Sequence, residues 1–143
     1  MKQFRMELEI QLTTEPIARV SPPPKLAGSV GAWVEFMGMV RGEEDRHPIG
    51  ALEYEAYAPM AEREMRRILE SLSATSPCLY VRVIHRTGVV PVGEAAIWIG
   101  IAAAHRAEAF ALLAEFMDRM KQDVPIWKRR ALSAAECEGA KLL

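Results

Sequence analysis

An α+β domain is the fold class that this sequence predicts, and three observations point to it. Several short segments alternate apolar and polar residues at the two-residue period of strands, and two longer segments carry apolar residues at helical spacing. The two kinds of segment are interleaved too irregularly for a doubly wound parallel sheet. The expected architecture is one mixed, mostly antiparallel sheet covered by two main helices. The 143 residues suit a single domain over residues 1–143, and a chain of this size can bury about two-thirds of its unfolded surface.

Phe4, Met6, Leu8, Ile10 and Leu12 alternate with Arg5, Glu7, Glu9 and Gln11, which places the apolar side chains on one face of a first strand. Residues 13–20 are expected to hold one or two helical turns with Pro16 near their start. The run Pro22-Pro23-Pro24 ends them, because proline lacks a donor and restricts its predecessor. Residues 32–39, rich in Trp, Val and Phe, suit a strand, and residues 42–50, with Glu43, Glu44, Asp45 and Pro48, suit a polar, mobile loop. Alternation returns over residues 51–57. From Pro59 the period changes: Ala61, Met65, Ile68, Leu69 and Leu72 form one helical stripe, with Glu62 and Arg66 placed to pair on the outer face.

Residues 79–83 and 89–92 read as strands, and Gly93-Glu94 reads as a turn. The apolar run 95–103 is short and bounded by turn signals, as a strand buried on both faces would be. Residues 105–121 form the second helix, with Phe110, Leu113, Met117 and Met120 on its stripe and Ala109, Leu112 and Phe116 beside it. Pro125 stops any helix before a final basic segment. Gly139 and its small neighbours predict a mobile tail over residues 133–143.

With 18 basic and 19 acidic residues the net charge is −1, so the molecule as a whole is not steered toward nucleic acid or an anionic membrane. The longest apolar run, residues 95–104, falls short of the ~20 residues a membrane helix needs. The N-terminal segment lacks the apolar block of a signal peptide, and a cytoplasmic protein is expected. Cys78 and Cys137 are far apart, with no C-x-x-C and no histidine at ligand spacing, so neither a metal site nor a redox pair is indicated.

Any anion site must therefore be local. Residues 119–130 carry Arg119, Lys121, Lys128, Arg129 and Arg130 against Asp123 alone. Cations at a helix end are ordinarily a solvated surface. Pro125-Ile126-Trp127 in the middle of this run points instead to a folded-back pocket wall. His105-Arg106 opens a helix, where free N–H groups and a bidentate donor suit a phosphate. Met39-Val40-Arg41 delivers an arginine at the end of an apolar strand. Singly, the last two features are more often a capped surface turn and a solvated strand end than ligand sites.

Taken in order, these residues resemble a known family. Phe36-Met37-Gly38-Met39-Val40-Arg41, Leu52-Glu53-Tyr54-Glu55-Ala56-Tyr57, Ile84-His85-Arg86-Thr87-Gly88, His105-Arg106 and Pro125-Ile126-Trp127-Lys128 with Lys121 seven residues upstream resemble the molybdopterin synthase catalytic (large) subunits. The resemblance covers residues 5–132. It implies an α/β-hammerhead-like fold and sulfur transfer that turns cyclic pyranopterin monophosphate, also called precursor Z, into molybdopterin, with no cofactor. The implied sulfur donor is a small ubiquitin-like subunit with a C-terminal Gly-Gly thiocarboxylate. The implied assembly is a heterotetramer around a central homodimer, without nucleic acid or membrane.

The same resemblance implies that Lys121 and Lys128 are catalytic, and that Met39, Val40, Arg41, His105, Arg106, Arg129 and Arg130 bind substrate, with His105-Arg106 supplied by the dimer mate. Chemistry agrees with these roles: neighbouring cations such as Arg129 and Arg130 favour a neutral lysine amine, and an ammonium can hold an anionic tail. Two positions depart from the family pattern, Arg130 where an acidic residue is usual and Met39 where a small hydroxyl residue is common. A non-catalytic relative that only binds the small subunit is the alternative, against which the retention of both lysines argues. Single-stranded nucleic-acid binding through Trp127 would need several stacking aromatics along a basic groove, and this chain has 7% aromatic residues.

Overall fold

The computed structural model describes residues 5–141, so Phe4 of the expected first strand and residues 142–143 of the tail lie outside the described residues. The class is α+β, but the strands divide between two main sheets and a small hairpin instead of forming one sheet. The first sheet has the order β1 (Glu7–Thr13), β6 (Tyr80–Arg86), β8 (Ala95–Ala103), β2 (Ala32–Met39); β1 and β6 are parallel and the other pairs antiparallel. The second places β5 (Ala51–Ala56) between β7 (Gly88–Pro91) and β9 (Ile126–Leu132), antiparallel to both. Residues expected as a loop carry the hairpin β3 (Glu43–Glu44) and β4 (His47–Pro48), turned by Asp45 and Arg46 at positive φ.

Helix α1 (Ala58–Leu72) has proline in its first turn and buries the stripe Ala61, Met65, Ile68, Leu69 and Leu72, as the spacing predicts. Its outer ion pair is Arg67 with Glu64 at 2.8 Å, not Glu62 with Arg66. In α2 (Arg106–Asp123) the buried row is Ala109, Leu112, Phe116 and Met120, while Phe110 is 57% exposed. The apolar face is thus turned toward the row that the sequence placed alongside the main stripe. Both helices pack on one face of the first sheet, against Val81, Val83, Ile97, Ile99 and Ile101. Each of these large aliphatic side chains contributes about 1.5–3 kcal/mol by burial.

Strand β8 is buried along nearly its whole length, as expected of a strand covered on both faces. On the side away from the helices, Trp33 stacks on Tyr80 with centroids 6.5 Å apart and meets Trp98 at 6.3 Å. A Cβ on Gly100 would lie 2.5 Å from the Trp98 ring and 2.6 Å from that of Trp33, so only glycine fits there.

Residues 13–20 form no helix; the first helical turn is a 3-10 turn at Pro24–Leu26. A segment with Thr13, Thr14 and Pro16 is too short to sustain helix without a buried face. The final basic segment is β9, and helix α3 (Ala134–Lys141) follows it in the expected tail, with Cys137 buried against Ala51 and Leu132. Among the described residues no helix is long and apolar enough to cross a membrane.

Candidate active site

Lys121 and Lys128 meet because a helix ends between them. Lys121 lies in the last turn of α2, where a cation is favourably placed against the helix dipole. The Val124 N–H still donates to the Met120 carbonyl at 3.1 Å, but Val124 is itself extended, and the Pro125 carbonyl accepts from the Tyr57 N–H at 3.0 Å. The chain thus passes from α2 to β9 within two residues, and Lys128 follows on that strand.

Both lysines line one cavity of about 510 Å³. Its wall is largely apolar: Phe36 and Met39 from β2, Met117 and Met120 from α2, Ile97 from β8 and Trp127 from β9, with Tyr54 and His85 adding polar atoms. A volume between about 300 and 1,000 Å³, apolar walls and a few convergent polar groups characterise small-ligand sites. Trp127 is 46% exposed and forms part of this wall, the role that its place in a basic run suggests. Gly38 is also in the wall, and a Cβ there would lie 2.7 Å from the Ile97 side chain.

The cations of β9 are paired with acids. The Lys128 ammonium lies 3.1 Å from the Glu44 carboxylate on the β3–β4 hairpin. Across the β5–β9 ladder Glu53 faces Arg130 and Tyr54 faces Lys128, so Arg129 is the extra residue of a bulge and both arginines reach Glu53, each at 3.5 Å. Arg129 and Arg130 therefore do not crowd Lys128 as an uncompensated cluster. The positive charge of Arg130 in place of the usual acid is balanced by Glu53, a partner supplied by strand pairing and invisible to local sequence.

The remaining predicted residues are dispersed. Met39 reaches the cavity, but Val40 is 3% exposed and packs with Leu52, Val90 and Ala96, so its side chain belongs to the core and not to a substrate contact. Arg41 lines a separate cleft of about 490 Å³ with Glu43, Asp45 and Arg46. His105 and Arg106 are exposed at the opposite end of α2 from Lys121. Fifteen residues at 1.5 Å rise separate Arg106 from Lys121 by about 22 Å along the helix. Within one chain, His105-Arg106 and the two lysines lie in separate places.

Sequence reading gave no role to His85, Tyr54 or Glu44. His85 shares the strand face of Val81 and Val83, and a histidine ending an apolar row is the signal that could have singled it out. Burial pushes the His85 imidazole below its ordinary value of 6.5 and the Tyr54 phenol above its own. Both are neutral near pH 7. Burial also pushes the Cys78 thiol up to about 11, which makes it a poor nucleophile. Among the described residues no group of three or more His, Cys, Asp or Glu could hold a metal.

The MoaE protein family model matches residues 9–123. The human molybdopterin synthase catalytic subunit is 41% identical over 99 residues, covering 69% of this chain and 53% of that protein. The Mycobacterium tuberculosis molybdopterin synthase catalytic subunit 1 is 40% identical over 115 residues, covering 80% and 75%. The chain spans about half the length of the mammalian relatives it matches. The crystal structure of molybdopterin synthase from Staphylococcus aureus shares the fold with a TM-score of 0.68 at 29% identity, covering 92% of this chain and 96% of that one. A family model that matches most of the sequence, relatives near 40% identity and a shared fold lead to one assignment: the chain belongs to the MoaE protein family.

Proposed function

We propose that this chain is the catalytic subunit of a molybdopterin synthase, moving sulfur from the thiocarboxylated Gly-Gly terminus of a small ubiquitin-like subunit to cyclic pyranopterin monophosphate. The observation that carries the reading is the convergence of Lys121 and Lys128, from different elements, on one apolar-walled cavity. Two ammonium groups in such surroundings attract an anionic tail and stabilise the negative charge that develops on the oxygen of an attacked carbonyl. Each transfer forms a C–S bond on the pterin side chain with loss of the oxygen substituent at that carbon, and water then cleaves the acyl C–S bond, so that the partner's terminus leaves as a carboxylate. With Cys78 buried and inert, the sulfur comes from the partner, not from that thiol. Unpaired Cys78 and Cys137 suit a reducing, cytoplasmic setting.

Arg41, with His105 and Arg106 of a second copy, suits the phosphate and the polar pterin, in a heterotetramer built on a central homodimer. The test mixes the purified chain with a thiocarboxylated small subunit and cyclic pyranopterin monophosphate and assays molybdopterin. Wild type forms product, and Lys121→Ala and Lys128→Ala each lower the rate at least tenfold, on the order expected when a charge-stabilising group is lost. Tight partner binding with no turnover would identify a non-catalytic relative, and unchanged rates in both variants would remove the lysines from the mechanism.

A further inference from the structure

His85 is 5% exposed, yet its ring lines the cavity shared by Lys121 and Lys128. Its Nδ1 lies 2.8 Å from the Arg86 carbonyl oxygen. A carbonyl only accepts, so Nδ1 carries the hydrogen and donates, and in the neutral ring Nε2 is left with a lone pair. No hydrogen bond from the described residues reaches Nε2, and it is not among the buried, unsatisfied atoms. One contact meets the ring itself, and the strand that carries it is fixed on both sides. Tyr54 meets it edge-on at 5.5 Å, β6 pairs it with Leu12 of β1 and Ile97 of β8, and Arg86 anchors the strand end to Glu94 at 2.8 Å.

The other polar groups of the cavity differ from it in kind. Lys121 and Lys128 offer ammonium donors, and Tyr54 offers a hydroxyl. The ammonium groups can only donate, whereas the Tyr54 hydroxyl can donate or accept. With Nδ1–H committed to the Arg86 carbonyl, the imidazole adds a group that can only accept at Nε2, and a buried ligand N–H left unpaired would carry a desolvation penalty.

We propose that His85 Nε2 is a substrate-orienting acceptor that receives an N–H of the molecule bound beside Lys121 and Lys128. The inference rests on the sulfur-transfer reading, within which two sources share that chemistry: a backbone amide of the partner's tail and a ring N–H of the pterin. The groups facing His85 are Tyr54 on β5, Lys121 on α2 and Lys128 on β9, whereas the adjoining positions on β1 and β8 are the apolar Leu12 and Ile97.

The experiment compares His85→Asn and His85→Gln in the assembled complex, after thermal unfolding shows that both fold. Asparagine keeps a donor for the Arg86 carbonyl and loses the outer acceptor, whereas glutamine keeps an acceptor at the Nε2 position. The proposal expects His85→Asn to lower kcat/KM about 2- to 12-fold, the span of one hydrogen bond, and His85→Gln to recover most of that loss. A rise confined to the KM for the small subunit assigns the tail amide, and one confined to the KM for the pterin assigns the ring N–H. The reverse order, Asn active and Gln impaired, would mean that the ring serves only the Arg86 carbonyl and overturns the proposal, as would equal activity of both variants.

A wild-type complex without turnover would instead sink the sulfur-transfer reading. The inference then stands or falls on the Nε2 resonance of ¹⁵N-histidine-labelled protein, titrated in turn with a small subunit bearing a plain Gly-Gly carboxylate and with cyclic pyranopterin monophosphate. Movement of that signal with either probe supports it, and no movement with both overturns it.

Discussion

Glu44→Gln isolates the ion pair made by Lys128, one of the two lysines that line the cavity. The Lys128 ammonium lies 3.1 Å from Glu44, and under the proposed function the thiocarboxylate tail would be a second anion competing for the same cation. The two side chains are 49% and 25% exposed. Coulomb's law at 3.1 Å in a water-like medium gives about 1.3 kcal/mol, and side-chain ordering and salt reduce such exposed pairs to about 0.2–1 kcal/mol net. Glutamine keeps the hydrogen-bond acceptor and the length of the side chain but removes the competing charge.

The apparent KM for the thiocarboxylated small subunit should therefore fall about 1.5- to 5-fold in Glu44→Gln at low ionic strength. At 1 M salt, where the Debye length is about 3 Å, variant and wild type should converge. The assay is steady-state molybdopterin formation with the small subunit varied at both salt concentrations. A KM that rises in the variant would show that Glu44 holds Lys128 in its working position, and a KM unchanged at low salt would show that the ion pair is irrelevant to tail binding. Either result refutes the competition argument.

Two further expectations concern stability. Gly100→Ala forces a Cβ to within 2.6 Å of the Trp98 and Trp33 rings; overpacking of about 1–3 kcal/mol corresponds to a loss of about 3–10 °C in a chain of this length, and a Tm within about 1 °C of wild type would contradict it. His85 is neutral in the fold because burial lowers its pKa, whereas the unfolded chain takes up a proton near the ordinary 6.5. The unfolded state then binds more protons between the lowered pKa and 6.5, so its contribution is intact above pH 6.5 and is lost as pH falls through that window. Thermal unfolding from pH 7.5 to 5 should show a shallower loss of Tm in His85→Gln than in wild type.

What was legible in the sequence was what depends on neighbours a few residues away. The stripe of α1 and the double burial of β8 follow from local period and composition, and the end of α2 before Pro125 follows from a helix stop. The separation into two sheets does not, because it rests on β5 accepting β9 from far along the chain. Strand β9 itself is exposed from Trp127 to Ala131, with three consecutive cations in its middle, so no alternation marks it. The pairing of Arg129 and Arg130 with Glu53 was hidden for the same reason, and a segment read as a cationic cluster is in part compensated. Val40 shows the converse limit: a motif aligns three consecutive residues, but a strand sends alternate side chains to opposite faces, and only the fold decides which enters a cavity.

The length of α2 makes a last prediction about how copies of this chain cooperate. Arg106 and Lys121 stand about 22 Å apart along one helix, and a fused-ring ligand with a single phosphate is far shorter than that. If His105 and Arg106 bind the phosphate of the substrate that the lysines act on, they do so in the cavity of a second copy. Lys128→Ala and Arg106→Ala are then each inactive alone but complementary together. In a mixed dimer, one site combines the intact lysine of the Arg106→Ala chain with the intact arginine of the Lys128→Ala chain, and the other site lacks both. Co-refolding equal amounts makes about half the dimers mixed, each with one working site of two, so turnover should return to about a quarter of the wild-type value. Sites built within one chain would give no recovery at any mixing ratio, because no single chain in the mixture carries both residues.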